Sequence, residues 1–138
     1  MFLVDTDVLS EGRKGANANA GVRGFFAAAV KADTALFISA ITIGELRRGV
    51  ELMRHRNDQQ QAATLDKWLR RIVDDYAESI LRFDEQIAQV WGALRVPQPD
   101  NPLDKQIAAT ALIHDLTVVT RNERHFTPTG VRILNPFS

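Results

Sequence analysis

Cysteine is absent from this chain of 138 residues, which excludes disulfide staples and thiolate metal sites from the start. Net charge is absent too: lysine plus arginine number 17, and so do aspartate plus glutamate. A general nucleic-acid binder carries a basic excess, because phosphate neutralisation drives its affinity. A histone-like or repressor-like role is therefore disfavoured. A nuclease survives that test, since acidic metal ligands offset a basic rim. Long apolar runs are missing as well, and Met1-Phe2-Leu3-Val4-Asp5 lacks the basic start of a signal peptide. The expectation is a soluble cytoplasmic protein with no membrane contact. Nor do the histidines help: His55, His114 and His125 show no paired zinc-type spacing and read as loop or helix-end residues.

What is present is an ordinary globular composition, 45% hydrophobic and 25% charged, long enough to bury a real core in one domain over 1–138. Short apolar segments read as strands at Leu3-Val4, Ala35–Ser39, Ser79–Phe83, Leu116–Thr120 and Val131–Leu134. Between them run helical spacings: Ile43, Leu46, Val50, Met53; then Leu65, Leu69, Ile72, Tyr76; then Ile87, Trp91, Leu94; then Leu103, Ile107, Ala111. Buried strands alternating with helices predict an α/β fold with a parallel sheet covered on both faces. Two stretches read as loops: Gly12 to Gly24, and Pro97-Gln98-Pro99-Asp100-Asn101-Pro102. The second places Asn101 as a helix cap, Pro102 at the first helical position and Asp104 in the first turn.

The acidic residues repeat one location. Asp5 follows the first strand, Asn122 follows the fourth, and Glu45 begins the helix leaving the second, with Thr42-Ile43-Gly44-Glu45 reading as a capping box. Each has an ordinary alternative, because helix N-termini attract carboxylates. Asp7 is the natural cap for a helix starting at Val8, which leaves Asp5 with the weakest claim to a capping role. Together these residues fall at the carboxyl ends of the strands, where an open parallel sheet forms its ligand crevice. Carboxylates crowded there repel one another unless a cation or a proton neutralises them. Oxygen ligands without cysteine favour Mg²⁺ or Mn²⁺. Asp104 begins a helix whose alanines allow close approach to the sheet; spacing alone leaves open whether its carboxylate enters the crevice.

Four segments, in order, resemble the PIN-domain ribonucleases and in particular the VapC-like toxins of bacterial toxin–antitoxin pairs. They are Phe2-Leu3-Val4-Asp5-Thr6-Asp7-Val8-Leu9-Ser10, Ile38–Leu46 followed by Arg48-Gly49, Asp104–Ala111, and Leu116-Thr117-Val118-Val119-Thr120-Arg121-Asn122. The resemblance implies a three-layer α/β/α PIN-like domain with a mainly parallel five-stranded sheet. It implies an endoribonuclease site built on Asp5, Glu45 and Asp104, with Asp5 and Asp104 as metal ligands for Mg²⁺ or Mn²⁺. Thr6 and Thr120 match orienting positions, and Asn122 stands where the family has a fourth acid, which keeps an oxygen but gives up a charge. At the place of Asp7 the family commonly has asparagine. Its members act on RNA, form homodimers and are inhibited by a small VapB-like antitoxin. Predicted position makes Arg13, Lys14, Arg47 and Arg121 the candidates for gripping substrate. Two alternatives stand beside this reading: a haloacid-dehalogenase-like phosphatase, from Asp5-Thr6-Asp7, and a non-catalytic PIN-like module that binds RNA or a partner.

Overall fold

Leu3 and Val4 are neighbours in sequence, yet they enter different cores. Successive side chains of a strand point to opposite faces. Leu3 packs with Ile107, Ala108, Ala111, Leu116, Val118, Phe126 and Val131, whereas Val4 joins Val8, Leu9, Val22, Ile38, Leu46, Val50, Leu69 and Val119. Val118 and Val119 repeat the alternation one strand away. A sheet that buries both faces needs helices on both sides, and the computed structural model, which describes residues 1–138, has that arrangement.

The strands are β1 (Phe2–Val4), β2 (Leu36–Ser39), β3 (Ile80–Leu81), β4 (Thr117–Val119) and β5 (Ile133–Leu134). The helices are α1 (Thr6–Gly12), α2 (Ala20–Lys31), α3 (Ala40–His55), α4 (Gln59–Asp75), α5 (Glu85–Leu94), α6 (Pro102–His114) and α7 (Glu123–Phe126), with short 3-10 turns at Gly15–Asn17 and Thr127–Thr129. The order across the sheet is β3-β2-β1-β4-β5, and every pairing is parallel. The chain works outward from β1 to β3 and then crosses back to the other side for β4 and β5. Strand order therefore reverses between β1 and β4, the switch point at which open α/β sheets place ligands. The expected α/β class and parallel sheet are both present. β2 to β5 each lie inside their expected segment and are shorter than it, whereas β1 begins one residue earlier than expected, at Phe2.

Three expectations at helix starts are corrected by the backbone. The stretch from Gly12 to Gly24 is not one loop: α2 starts at Ala20, capped by Asn19, whose side-chain oxygen accepts from the N–H groups of Gly21 (2.9 Å) and Val22 (3.3 Å). Gly21 is there for packing, since a Cβ at that site would sit 2.0 Å from the Pro136 carbonyl oxygen of the C-terminal tail. Gly21→Ala should accordingly cost about 1–3 kcal/mol, the usual penalty for overpacking. Gly24→Ala, with open space around its site, should leave the urea midpoint unchanged or raise it slightly. Equal midpoints for the two variants would show that the tail yields freely.

At α3 the cap is Ser39, whose hydroxyl accepts from Ile41 N–H at 3.0 Å. Glu45 thus lies in the second turn and belongs to no capping box. At α6, Pro102 takes the first helical position as expected, but Asn101 is left-handed (φ 53°, ψ 51°) and makes no side-chain cap. The proline loop is secured instead by Lys105. This buried lysine donates to the Gln98 carbonyl and pairs with Asp100 at 3.5 Å, fixing the start of the helix beside Asp104. Ala108, Ala109 and Ala111 are wholly buried and leave no bulk between α6 and the sheet.

Candidate active site

Asp5 leaves the end of β1 at the switch point and is itself the cap of α1. Its Oδ1 accepts from Thr6 N–H and its Oδ2 from the Thr120 hydroxyl, each at 2.8 Å. Thr120 follows β4, and its oxygen also accepts from Asn122 N–H at 3.0 Å. One hydroxyl therefore ties the ends of β1 and β4 together across the crevice and locks the carboxylate's orientation. Only 3% of Asp5 is exposed. Loss of water, then the charge of Asp7, then that of Asp104 outweigh the hydrogen bonds and push its carboxyl up to about 7.

The capping role expected for Asp7 is taken by Asp5. Asp7 sits in the first turn of α1, where its Oδ2 accepts from Arg121 N–H at 3.1 Å. Its other oxygen, Oδ1, is buried with no partner. Burial, with a further contribution from Asp104, raises the Asp7 carboxyl above the ordinary carboxylate range.

A cavity of about 270 Å³ lies here, lined by Asp5, Thr6, Asp7, Glu45, Leu103, Asp104, Ile107 and Asn122. The three acids singled out from sequence, Asp5, Glu45 and Asp104, thus share one cavity with Thr6 and Asn122. Thr120 reaches it through Asp5. Asn122 makes no side-chain cap at α7, so its amide is not spent on the helix end. The carboxylates line this space without three of them converging closely enough on one point to hold an ion as they stand. The donor set nevertheless suits a hard divalent cation. It is all oxygen, it includes the unpartnered Oδ1 of Asp7, and its crowded charges call for a proton or a cation.

Two participants escaped the sequence reading. Asp7 lines the cavity, and His125, expected to be an ordinary helix-end residue, places Nδ1 2.7 Å from Asp104 Oδ2. Nothing in the segment around His125 signals this contact, because Asp104 lies 21 residues earlier. The basic candidates divide. Arg13 borders a second cavity that shares Thr6 and Glu45 with the first. Lys14 is exposed and paired with Glu11 at 2.9 Å. Arg47 lies on the α3–α4 side, bridged to Asp66 at 3.0 Å and Glu51 at 3.3 Å, away from the cavity. The guanidinium of Arg121 stacks on the Phe137 ring at 4.7 Å, while its backbone N–H, and to a smaller extent its charge, act on Asp7.

A small α/β fold with an acidic crevice at the β1–β4 switch point defines a narrow class, and comparison with known proteins identifies it. The family model for the PIN domain matches residues 2–129, and the chain belongs to the PIN-domain family. It is 32% identical over 142 aligned positions to Toxin FitB of Neisseria gonorrhoeae, covering 99% of each chain. It is 28% identical to the VapC ribonuclease Y4jK of Sinorhizobium fredii, covering 99% of this chain and 98% of that one. Among solved structures, FitAcB from Neisseria gonorrhoeae is similar with a TM-score of 0.84 and 33% identity, over 99% of this chain and 98% of its counterpart. No helix is long and apolar enough to cross a membrane.

Proposed function

We propose that this chain, acting over 1–138 as one PIN-like domain, is a divalent-metal-dependent endoribonuclease and the toxin of a toxin–antitoxin pair. The observation that carries the reading is Asp5, a buried carboxyl raised to about 7 in a cavity shared with Asp7, Glu45 and Asp104. Burying acids together is costly unless a cation uses them. The relatives named as a toxin and as a ribonuclease support the rest.

Asp5 and Asp104 would hold a Mg²⁺ or Mn²⁺ ion, with Glu45 completing the pocket directly or through water. Once bound, the ion supplies Lewis acidity toward the phosphate and acidifies an attacking water. The chain's own residues do the positioning. Thr6 N–H and the Thr120 hydroxyl fix both oxygens of Asp5, and His125 steadies Asp104. Asn122 offers the cavity an amide oxygen without adding charge, which favours a single tightly held ion. Arg13, on the adjoining cavity, faces the substrate's phosphates. A small VapB-like antitoxin and a second copy of the chain are the partners this reading assigns, with the cytoplasm as its compartment.

The phosphatase alternative needs a lysine at the strand ends. Lys105, the buried lysine next to Asp104, directs its ammonium to Gln98 and Asp100 instead. The test is cleavage of a pool of structured RNAs by purified protein in Mg²⁺, Mn²⁺ or EDTA, beside an identically purified Asp5→Asn/Asp104→Asn variant. Metal-dependent cuts made only by the native protein are expected. RNA bound equally with and without metal, and left intact, would establish the non-catalytic module instead.

A further inference from the structure

His125 does not line the acidic cavity, yet it holds a residue that does. Its Nδ1 sits 2.7 Å from Oδ2 of Asp104, joining α7 to the first turn of α6 across 21 residues of chain. The surrounding structure fixes this contact from both sides. Phe126, the next residue, is wholly buried in one core with Ile107, Ala108 and Ala111 of α6. At the start of the turn, Asn122 N–H donates to the Thr120 hydroxyl at 3.0 Å, and His125 N–H donates to the Asn122 carbonyl oxygen at 3.1 Å. Asn135 donates to the Glu123 carboxylate at 3.0 Å and ties the same turn to the chain beyond β5. The imidazole is thus held in place, although 45% of its side chain is exposed. Its polar partner, and not the core, explains its position.

We propose that His125 is a positioning residue that makes the site select a small octahedral cation, Mg²⁺ or Mn²⁺, over Ca²⁺, by holding one oxygen of Asp104 and leaving the other for the ion. The inference rests on the metal-dependent reading above and names the residue that sets its cation. Ca²⁺ accepts a larger and more irregular shell, often with both oxygens of one carboxylate, whereas Mg²⁺ demands near-octahedral geometry and keeps several waters. Carboxylates that present single oxygens therefore suit the smaller ion. Asp5 already has that form: Thr6 N–H holds its Oδ1 and the Thr120 hydroxyl its Oδ2, so it cannot pivot to offer both at once. Asp104 has only His125, on Oδ2, and no hydrogen bond engages its Oδ1. Without the imidazole, Asp104 is free to turn and chelate. That one contact decides how the carboxylate meets an ion.

Two variants separate the nitrogen from the ring. His125→Phe keeps a planar ring and loses the nitrogen. His125→Asn loses the ring and keeps an N–H donor close to the place of Nδ1. Mn²⁺ and Ca²⁺ are each titrated calorimetrically, with no RNA present, into protein stripped with EDTA and dialysed at pH 8, above the raised carboxyl of Asp5. Native protein should bind Mn²⁺ more tightly than Ca²⁺. In His125→Phe the Kd for Mn²⁺ should rise roughly tenfold to a hundredfold, as for the loss of other outer partners of metal ligands. Binding of Ca²⁺ should change little, so the preference for Mn²⁺ narrows by the same factor. His125→Asn should restore most of it. Melting temperatures in EDTA should lie close together for all three proteins, because so much of the side chain is exposed.

Native protein that binds neither ion would end the metal-dependent reading itself. Native binding of Mn²⁺ with an unchanged preference over Ca²⁺ in His125→Phe would overturn this inference alone. If that variant instead melts lower in EDTA with its preference intact, His125 serves the fold and the proposal is wrong. If His125→Asn binds Mn²⁺ as weakly as His125→Phe, the imidazole is itself a ligand of the ion, and the positioning role falls.

Discussion

Asp5→Asn should abolish RNA cleavage while making the metal-free protein more stable. The loss follows from the charge: an amide is a poor ligand for a hard cation, and several kcal/mol of transition-state stabilisation corresponds to a rate loss of roughly a hundredfold to a thousandfold. The gain follows from the same burial. At pH 8 the native carboxyl, raised to about 7, is ionised in a site that disfavours the charge. Asparagine fits with little rearrangement. Its oxygen can still accept from Thr6 N–H, and its NH2 can donate to the Thr120 hydroxyl, which has lone pairs to spare. One preparation should therefore show lower activity and a higher melting temperature in EDTA at pH 8. Asp7→Asn keeps an acceptor for Arg121 N–H and should lose much less activity. If Asp5→Asn melts below the native protein under those conditions, Asp5 serves the fold, and its place in the cavity is incidental.

That opposition between stability and activity explains which parts of the site could be read from the sequence. Asp5 was singled out because a carboxyl directly after a buried apolar strand is costly and Asp7 looked the better cap, although Asp5 caps α1 itself. Glu45 was placed in the right crevice for the wrong local reason: Ser39, at the very end of β2, caps α3 first, and the capping-box pattern three residues later is coincidence. Asp7 was misread because an acid near a helix start is ambiguous by one turn; β1 ends at Val4, so Asp5 reaches the cap position and Asp7 falls into the first turn facing the cavity. His125 could not be found at all. Its partner Asp104 lies 21 residues earlier, and only the packing of α7 against α6 brings the two together. In the fold, strands and their order of appearance were legible from β-branched apolar runs. The helix α2 was not, because Gly21 and Gly24 read as loop, whereas Gly21 is set by the approach of Pro136 in the distant C-terminal tail.

The buried carboxyls also fix how stability should depend on pH and on metal, with a sign that can be worked out. The folded Asp5 holds its proton up to about pH 7, whereas the unfolded chain releases it near 3.8. Between those values the folded state binds more protons, so stability in EDTA falls as pH rises from about 4 to 7. A shift of about three units corresponds to about 4 kcal/mol lost across that window. Asp7, also raised, acts in the same direction. Glu11, Glu51 and Asp66 have lowered carboxyls and contribute stability that disappears only in more acidic solution, below the window. A divalent ion requires the ionised acids, so its benefit should run the other way, negligible at pH 5 and large at pH 8. A concentration one hundredfold above Kd adds about 2.7 kcal/mol. Melting temperatures from pH 5 to 8, in EDTA and in Mg²⁺, should therefore diverge as pH rises, and the divergence should vanish in Asp5→Asn. Parallel curves for the native protein would mean that the acids share no ion, leaving their burial as a plain cost of the fold.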